Sequence, residues 1–126
     1  MKRFWAAISV LSLLLAACTV SAVLVSHIAR ETISLLEEAA NFAKEHNYTA
    51  ALSQCQKAEE RWKSRAGLHG ALLRHSEADR VESGLAKLVS YARTQDHDEF
   101  LALCAEIIHD IEHVRDMELP LLRNIL

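Results

Sequence analysis

Apolar residues follow two different patterns along this chain, and the change between them comes near residue 30. The 26 residues from Phe4 to Ala29 carry no charge, and a helix of that length spans about 39 Å, more than the ~30 Å hydrocarbon core of a bilayer. From Glu31 onward apolar residues recur every three or four positions, which is typical of amphipathic helices. We therefore divide the chain into an N-terminal membrane anchor, residues 1–29, and a helical domain, residues 30–126.

The domain pattern predicts four amphipathic helices joined by short polar turns. The first continues from the anchor without a helix-breaking residue, the second covers 49–63, and the third covers 68–93. The fourth begins near Asp98 and ends or kinks at Pro120, and Asn47 is the predicted N-cap of the second. Because short turns join antiparallel neighbours, we predict an all-α, up-down-up-down four-helix bundle. The sequence shows no convincing internal repeat.

Charges at the start of the chain predict how the anchor is oriented. Lys2 and Arg3 belong on the cytoplasmic side, so the domain should lie outside the cell membrane on a single-pass helix. An alternative is that Leu15-Ala16-Ala17-Cys18 resembles the lipobox of bacterial lipoproteins, with Cys18 lipidated. The uncharged run continues well past Cys18, which favours an uncleaved helix. Both interpretations tether the domain to the membrane.

Composition and the motifs in the sequence argue against two classes of function, nucleic-acid binding and catalysis. A net charge of −3 without a basic stripe argues against nucleic-acid binding. No nucleophile paired with a base and no phosphate-cradling glycine loop is present, so we expect neither enzymatic activity nor a cofactor. Cys55 and Cys104 lie in apolar helical stripes, where free cysteine packs as a small hydrophobe, although a disulfide between them stays an alternative.

Several short motifs together resemble a known family. After the basic start and the anchor come His46-Asn47-Tyr48 with Ala50-Ala51-Leu52, Arg61-Trp62-Lys63, His75 and a final Asn124-Ile125-Leu126. This arrangement is similar to the uncharacterised bacterial family called domain of unknown function 4363, found mainly in Firmicutes. The resemblance implies a small membrane-anchored helical protein, and it brings no activity, cofactor or catalytic residue. The lipobox-like context of Cys18 is not part of the family pattern.

Histidines and carboxylates supply the candidate polar sites. His75, Asp79 and Glu82 share one helical stripe at the margin of the buried face, which indicates either a hydrogen-bonded cluster that fixes helix register or a ligand or metal site. His109 and His113 are weaker metal candidates because the helical pattern turns them about 160° from the apolar stripe, toward solvent.

Apolar anchors supply candidates for protein contacts. Trp62 either packs into the core or rim, or marks a binding surface if it is exposed. The tail, with Asn124, Ile125 and Leu126, either folds back to plug the bundle, which we favour, or docks onto another protein.

These patterns favour a structural or protein-interaction module whose partner is another membrane or envelope protein. The alternative is a ligand- or metal-sensing bundle that uses His75, Asp79 and Glu82. The oligomeric state is not indicated by the sequence.

Overall fold

The computed structural model describes the backbone of residues 1–64 and 75–125, and the side chains of residues 1–64 and 76–116. Its helices are α1 (Lys2–Lys44), α2 (Tyr48–Lys63), α3 (His75–Thr94) and α4 (His97–Ile125). The described residues contain no strand, so the predicted all-α class is confirmed. The predicted start of the third helix, at residue 68, lies outside the described residues.

The described helices form a ring in which each packs mainly against two others. α1 and α3 both pack against α2 and α4, and short turns join α1 to α2 and α3 to α4. This arrangement confirms the predicted bundle. Its centre holds the largest fully buried side chains, which include Trp62, Phe100, Leu36, Leu85, Leu88, Ile107 and Ile111.

α1 runs without interruption from the apolar N-terminus into the bundle, as the sequence predicts. Its 43 residues include no glycine or proline, the two residue types that most readily break a helix. Packing against the bundle begins at Ala22, and Val25, Ile28 and Ala29 are also buried. The last two turns of the segment assigned to the anchor therefore also belong to the domain core.

The observed end of α4 lies beyond Pro120, where the sequence predicted an end or a kink. The helix continues through Pro120 to Ile125, so the residues interpreted as a separate tail are helical. A proline lacks only its own N–H, which would have bonded to the carbonyl four residues earlier. The apolar spacing on both sides of Pro120 still suits a helix, and the remaining bonds continue it.

The α1–α2 and α3–α4 turns share one backbone design. His46 and Gln95 both adopt a φ of 58°. The next amide in each turn bonds five residues back, from Asn47 N to Phe42 O at 2.8 Å and from Asp96 N to Tyr91 O at 3.1 Å. This is the 6→1 bond of a Schellman motif, which ends a helix on a left-handed residue. We call the end of the bundle that contains these two turns the tip, and the opposite end the base.

The two hairpins also repeat each other's burial pattern at a displacement of 49 residues, the separation of Tyr48 and His97. Pairs at this displacement are buried together along both hairpins: Ala29 and Ala78, Leu36 and Leu85, Ala43 and Ala92, Cys55 and Cys104, Ala58 and Ile107, Trp62 and Ile111. Four of these six pairs are identical residues, whereas most other positions at this displacement differ. The two hairpins therefore share a burial pattern, and the absence of a convincing sequence repeat stays a prediction.

Candidate functional site

The predicted polar stripe lies on α3, and its described members face solvent. Asp79 and Glu82 are both exposed, and they border a surface depression of about 400 Å³ together with Lys63. A hydrogen bond to Glu59 and the charge of that carboxylate raise the pKa of Lys63, and the charge of Glu82 acts in the same direction. Exposed groups of this kind do not need a buried partner.

His75 is the first residue of α3, so all three predicted stripe residues share one helix. Its side chain lies outside the described residues, and its ligand or register role stays a prediction. The exposure of Asp79 and Glu82 does not match the half-buried interhelical cluster expected for them, because α3 turns their positions away from the core.

His109 and His113 are exposed on α4, which agrees with the orientation predicted from the helical pattern. His113 borders a cavity of about 20 Å³ between α3 and α4. That volume suits one water molecule. Glu77 is among the residues that line the cavity, and its Oε2 oxygen is buried without a hydrogen-bond partner. No group of three or more His, Cys, Asp or Glu side chains within the described part of the chain is arranged to hold a metal ion.

Trp62 is 1% exposed, so the structure gives it the core role among its predicted alternatives. Its indole nitrogen donates to the carbonyl of Ala78 on α3 at 3.4 Å. The side chains of Asn124, Ile125 and Leu126 lie outside the described residues, and their proposed role as interaction anchors stays a prediction.

The three cysteines are free. Burial raises the pKa of the Cys55 thiol to about 12, with a contribution from Cys104, and burial raises the pKa of Cys104 to about 11. Cys104 also donates to the carbonyl of Leu36 at 3.2 Å. Cys18 is exposed in the first half of α1, where no other part of the described chain covers it.

The tip holds a polar and aromatic cluster that joins the two hairpins. The Tyr48 hydroxyl and His97 Nδ1 lie 2.6 Å apart and share a hydrogen bond. The His46 ring stacks on His97 with 4.7 Å between centroids, and Phe100 meets Tyr48 edge-on. Sequence reasoning missed this cluster because its members come from two separate turns, and only the 49-residue displacement between the hairpins would have paired them.

A groove runs between α1 and α4 below the tip, with a volume of about 350 Å³. Its floor includes Ala40, Leu101 and Ile108, which are only partly buried, and Glu37 and Lys44 stand at its edge. The groove therefore combines an accessible apolar strip with charges of both signs, a combination common in protein contact surfaces.

At the base, Glu31 joins α1 to α2. Its carboxylate pairs with His27 at 2.9 Å and with Arg61. Beside them, Arg30 donates to the hydroxyl of Ser26 at 3.4 Å. This places an acidic residue and three basic or titratable ones in a small area next to the point where α1 leaves the bundle.

Within the described side chains, the large apolar residues that are exposed rather than partly buried lie in the N-terminal half of α1. Among those side chains, every exposed Val, Leu, Ile, Met, Phe or Trp lies between Met1 and Leu24. Within the described residues, α1 is the one helix long and apolar enough to cross a membrane. Either a membrane anchor or a signal sequence has these properties.

Fold and surface thus define a class: small helical bundles carried on a long apolar N-terminal helix, without a recognisable catalytic centre in the described residues. The chain belongs to the family described as domain of unknown function (DUF4363), which matches residues 18–125. The match begins inside α1 and covers the bundle, so the predicted family is confirmed. No curated protein and no solved structure matches the chain.

Proposed function

We propose that this protein is a membrane-anchored, extracytoplasmic interaction module that acts through protein contacts and not through catalysis. The observation that carries the proposal is the division of α1. Its N-terminal half is apolar and uncovered, and its C-terminal half packs into the bundle core. An uncovered apolar helix of this length suits lipid, and its continuity with the bundle holds the domain at the membrane.

The charges next to the apolar run support the proposed orientation. Lys2 and Arg3 precede it, and basic residues that flank a spanning helix favour the cytoplasmic side. The bundle then lies outside. A signal sequence cleaved from the mature protein, or a lipid attached to Cys18, are the competing outcomes.

Membrane extraction and the mass of the mature chain test this proposal. We expect the protein to stay in the membrane pellet after an alkaline wash, to retain Met1 or Lys2 at its N-terminus, and to show an external C-terminal reporter. A chain that begins at a lipidated Cys18 would replace the spanning helix with a lipid tether. A soluble, shortened chain would refute anchoring altogether.

The groove between α1 and α4 is the contact surface we propose for a second membrane or envelope protein. A helix with a small apolar face fits its partly buried strip, and Glu37 and Lys44 can pair with charges on either side of such a helix. The depression near Asp79 and Glu82 is polar and shallow by comparison, and it gives the sensing alternative no added support.

Site-directed photo-crosslinking tests the groove. Ala105 lies in it, and Gln56 is the exposed residue 49 positions earlier in the other hairpin, which makes it a matched control. A crosslinker at position 105 should capture an integral membrane or envelope protein that the same group at position 56 does not. Identical products from both positions would contradict a specific contact here.

A further inference from the structure

The structure shows where the exposed apolar part of α1 ends, which the uncharged run alone does not. That run continues to Ala29, but Val25, Ile28 and Ala29 face the bundle core. On the outer face, Val23 is 62% exposed and Leu24 is 43% exposed, and no large apolar side chain beyond them is exposed in the described part of the bundle. The next exposed positions on this face are polar.

The remaining length matches a bilayer more closely than the whole run does. Phe4 to Leu24 is 21 residues, or about 31 Å of helix, against a hydrocarbon core of ~30 Å. The full run to Ala29 would be too long by roughly 9 Å. The extra length lies between Val25 and Ala29, where Val25, Ile28 and Ala29 are buried in the bundle and do not need lipid to cover them.

We propose that the hydrocarbon core ends at Leu24 and that the base of the bundle rests in the phospholipid headgroup layer, with Arg30 and Arg61 facing the lipid phosphates. This proposal rests on the membrane anchorage proposed above. Packing of the bundle already begins at Ala22, so the bundle cannot stand away from the membrane on a free stretch of helix.

The charges at the base suit this position. Along the helix axis the backbone of His27 lies about 4.5 Å beyond Leu24, within a headgroup layer of roughly 5–7 Å, and that of Arg30 about 9 Å beyond it, just outside the layer. The Arg30 side chain points back toward the N-terminus, since its guanidinium bonds to Ser26, and this brings its charge toward the layer. Arg61 reaches the same level from α2, because its guanidinium pairs with Glu31. Long arginine side chains can extend toward phosphates while their aliphatic stems cover apolar surface.

Accessibility of single thiols tests the boundary. In the full-length chain with Cys18→Ser, a cysteine replaces Val20, Leu24, His27 or Ser34, all of which are exposed. Cys55 and Cys104 should not react, since they are 0% and 1% exposed and burial raises the pKa of both thiols. The membranes are opened by freeze–thaw so that a charged maleimide reaches both aqueous sides.

We expect the thiols at positions 20 and 24 to react at least about tenfold more slowly than the thiol at position 34, because a charged reagent is excluded from hydrocarbon. The thiol at position 27 should react at an intermediate rate. A position-24 thiol as reactive as that at position 34 would place the boundary nearer the N-terminus. A protected position-34 thiol would place it deeper in the bundle.

A second measurement tests contact between the base and the headgroups. Ser64, three residues beyond Arg61 at the end of α2, and Glu45, at the tip, are both exposed, and each accepts a cysteine-linked dye. Vesicles of phosphatidylethanolamine and phosphatidylglycerol carry a nitroxide on the headgroup. The dye at position 64 should be quenched several-fold more than the dye at position 45, and equal quenching would overturn the proposed contact.

The two proposals fail in different ways. Release of the chain from membranes by an alkaline wash refutes the anchor itself. A chain that is retained in the membrane but has a reactive thiol at position 24, or equal quenching at both dye positions, refutes only the placement of the base. Substituting Arg30→Gln and Arg61→Gln together should weaken quenching at position 64 without releasing the chain.

Discussion

Tyr48 and His97 show how single residues connect the two hairpins. Their side chains meet at the tip although they are 49 positions apart in the chain, and the Tyr48 ring is largely buried against Phe100. A hydrogen bond in this setting links α2 to the start of α4, so it opposes separation of the hairpins.

Replacing Tyr48→Phe should lower the free energy of unfolding by about 1 kcal/mol, since it removes one partly buried hydrogen bond and keeps the ring. Tyr91→Phe is the control, because Tyr91 is half-exposed and occupies a neighbouring level of the bundle. Urea denaturation followed by circular dichroism measures both. Equal effects of the two substitutions would contradict a specific role for the Tyr48 hydroxyl.

The buried thiols give the protein a defined response to alkaline pH. Their ordinary pKa is 9.0, and burial raises it to about 12 for Cys55 and about 11 for Cys104. Below pH 9 both states hold protonated thiols, whereas above it the unfolded thiols ionise first. Their contribution to stability should therefore decline between pH 9 and about 12.

Comparison of the chain with its Cys55→Ala, Cys104→Ala variant tests that response. The native chain should lose more stability than the variant as the pH rises above 9, and both should behave alike between pH 6 and 8. Chemical denaturation at each pH provides the measurement. Parallel curves across the whole range would show that the thiols are not the cause.

Sequence reasoning succeeded for residues whose environment follows from their own helix. The outward orientation of His109 and His113 and the N-cap of Asn47, whose side chain accepts from the amide of Ala50 at 3.2 Å, are set by local periodicity and backbone geometry. Contacts such as Tyr48 with His97 depend on how separate helices pack, and a single helical pattern contains no information about that.

At the scale of elements, apolar spacing predicted the helices that the described part of the chain contains, and it determined their ends less well. Of the two alternatives for α4 at Pro120, the helix end was wrong, because one proline was given more weight than the apolar spacing on both sides of it, and the kink stays a prediction. The turns were placed well, since polar clusters interrupt the pattern there. Their left-handed residues were missed, because neither is the glycine that usually marks such a position.

Gln95→Gly should stabilise the bundle by about 0.5–1 kcal/mol. Its φ of 58° strains a residue with a side chain, and glycine removes that strain at some cost in chain entropy. His46→Gly relieves the same φ but loses the stacking on His97, so it should stabilise less. Thermal unfolding compares the stability of the two variants. A larger increase in stability from His46→Gly than from Gln95→Gly would show that the stacking of His46 on His97 contributes little.

For the whole molecule, the bundle arrangement was predictable from amphipathic helices joined by short turns. The residue at which the apolar N-terminal segment gives way to the bundle was not predictable. The first charged residue after the apolar run is Arg30, which placed the start of the domain there. The first residue of α1 that the bundle buries is Ala22, eight positions earlier. An uncharged residue on a helix suits lipid and a protein core equally, so hydropathy cannot separate the two. The burial pattern that the two hairpins share was hidden for a related reason, because most positions 49 residues apart are not identical, as with Ala58 and Ile107.

Two truncated chains test whether the bundle begins near Ala22 or at Arg30. A chain that starts at Ser21 keeps the buried residues of α1, whereas one that starts at Arg30 loses Val25 and Ile28 from the core. The shorter chain should be less stable by about 3 kcal/mol or more, given roughly 1.5–3 kcal/mol for each fully buried branched side chain. Urea denaturation compares them, and equal midpoints would restore the boundary at residue 29.

Under the membrane anchorage proposed above, the unbroken α1 has a mechanical consequence. A rod that is fixed at one end in lipid and at the other in a packed bundle works as a lever arm, since no flexible joint absorbs its rotation. Lys44 lies about 30 Å beyond Leu24, so a change of about 10° in helix tilt, within the range that bilayer thickness can impose, would swing the tip sideways by about 5 Å. A local change in membrane thickness would then tilt α1 and move the two turns at the tip sideways.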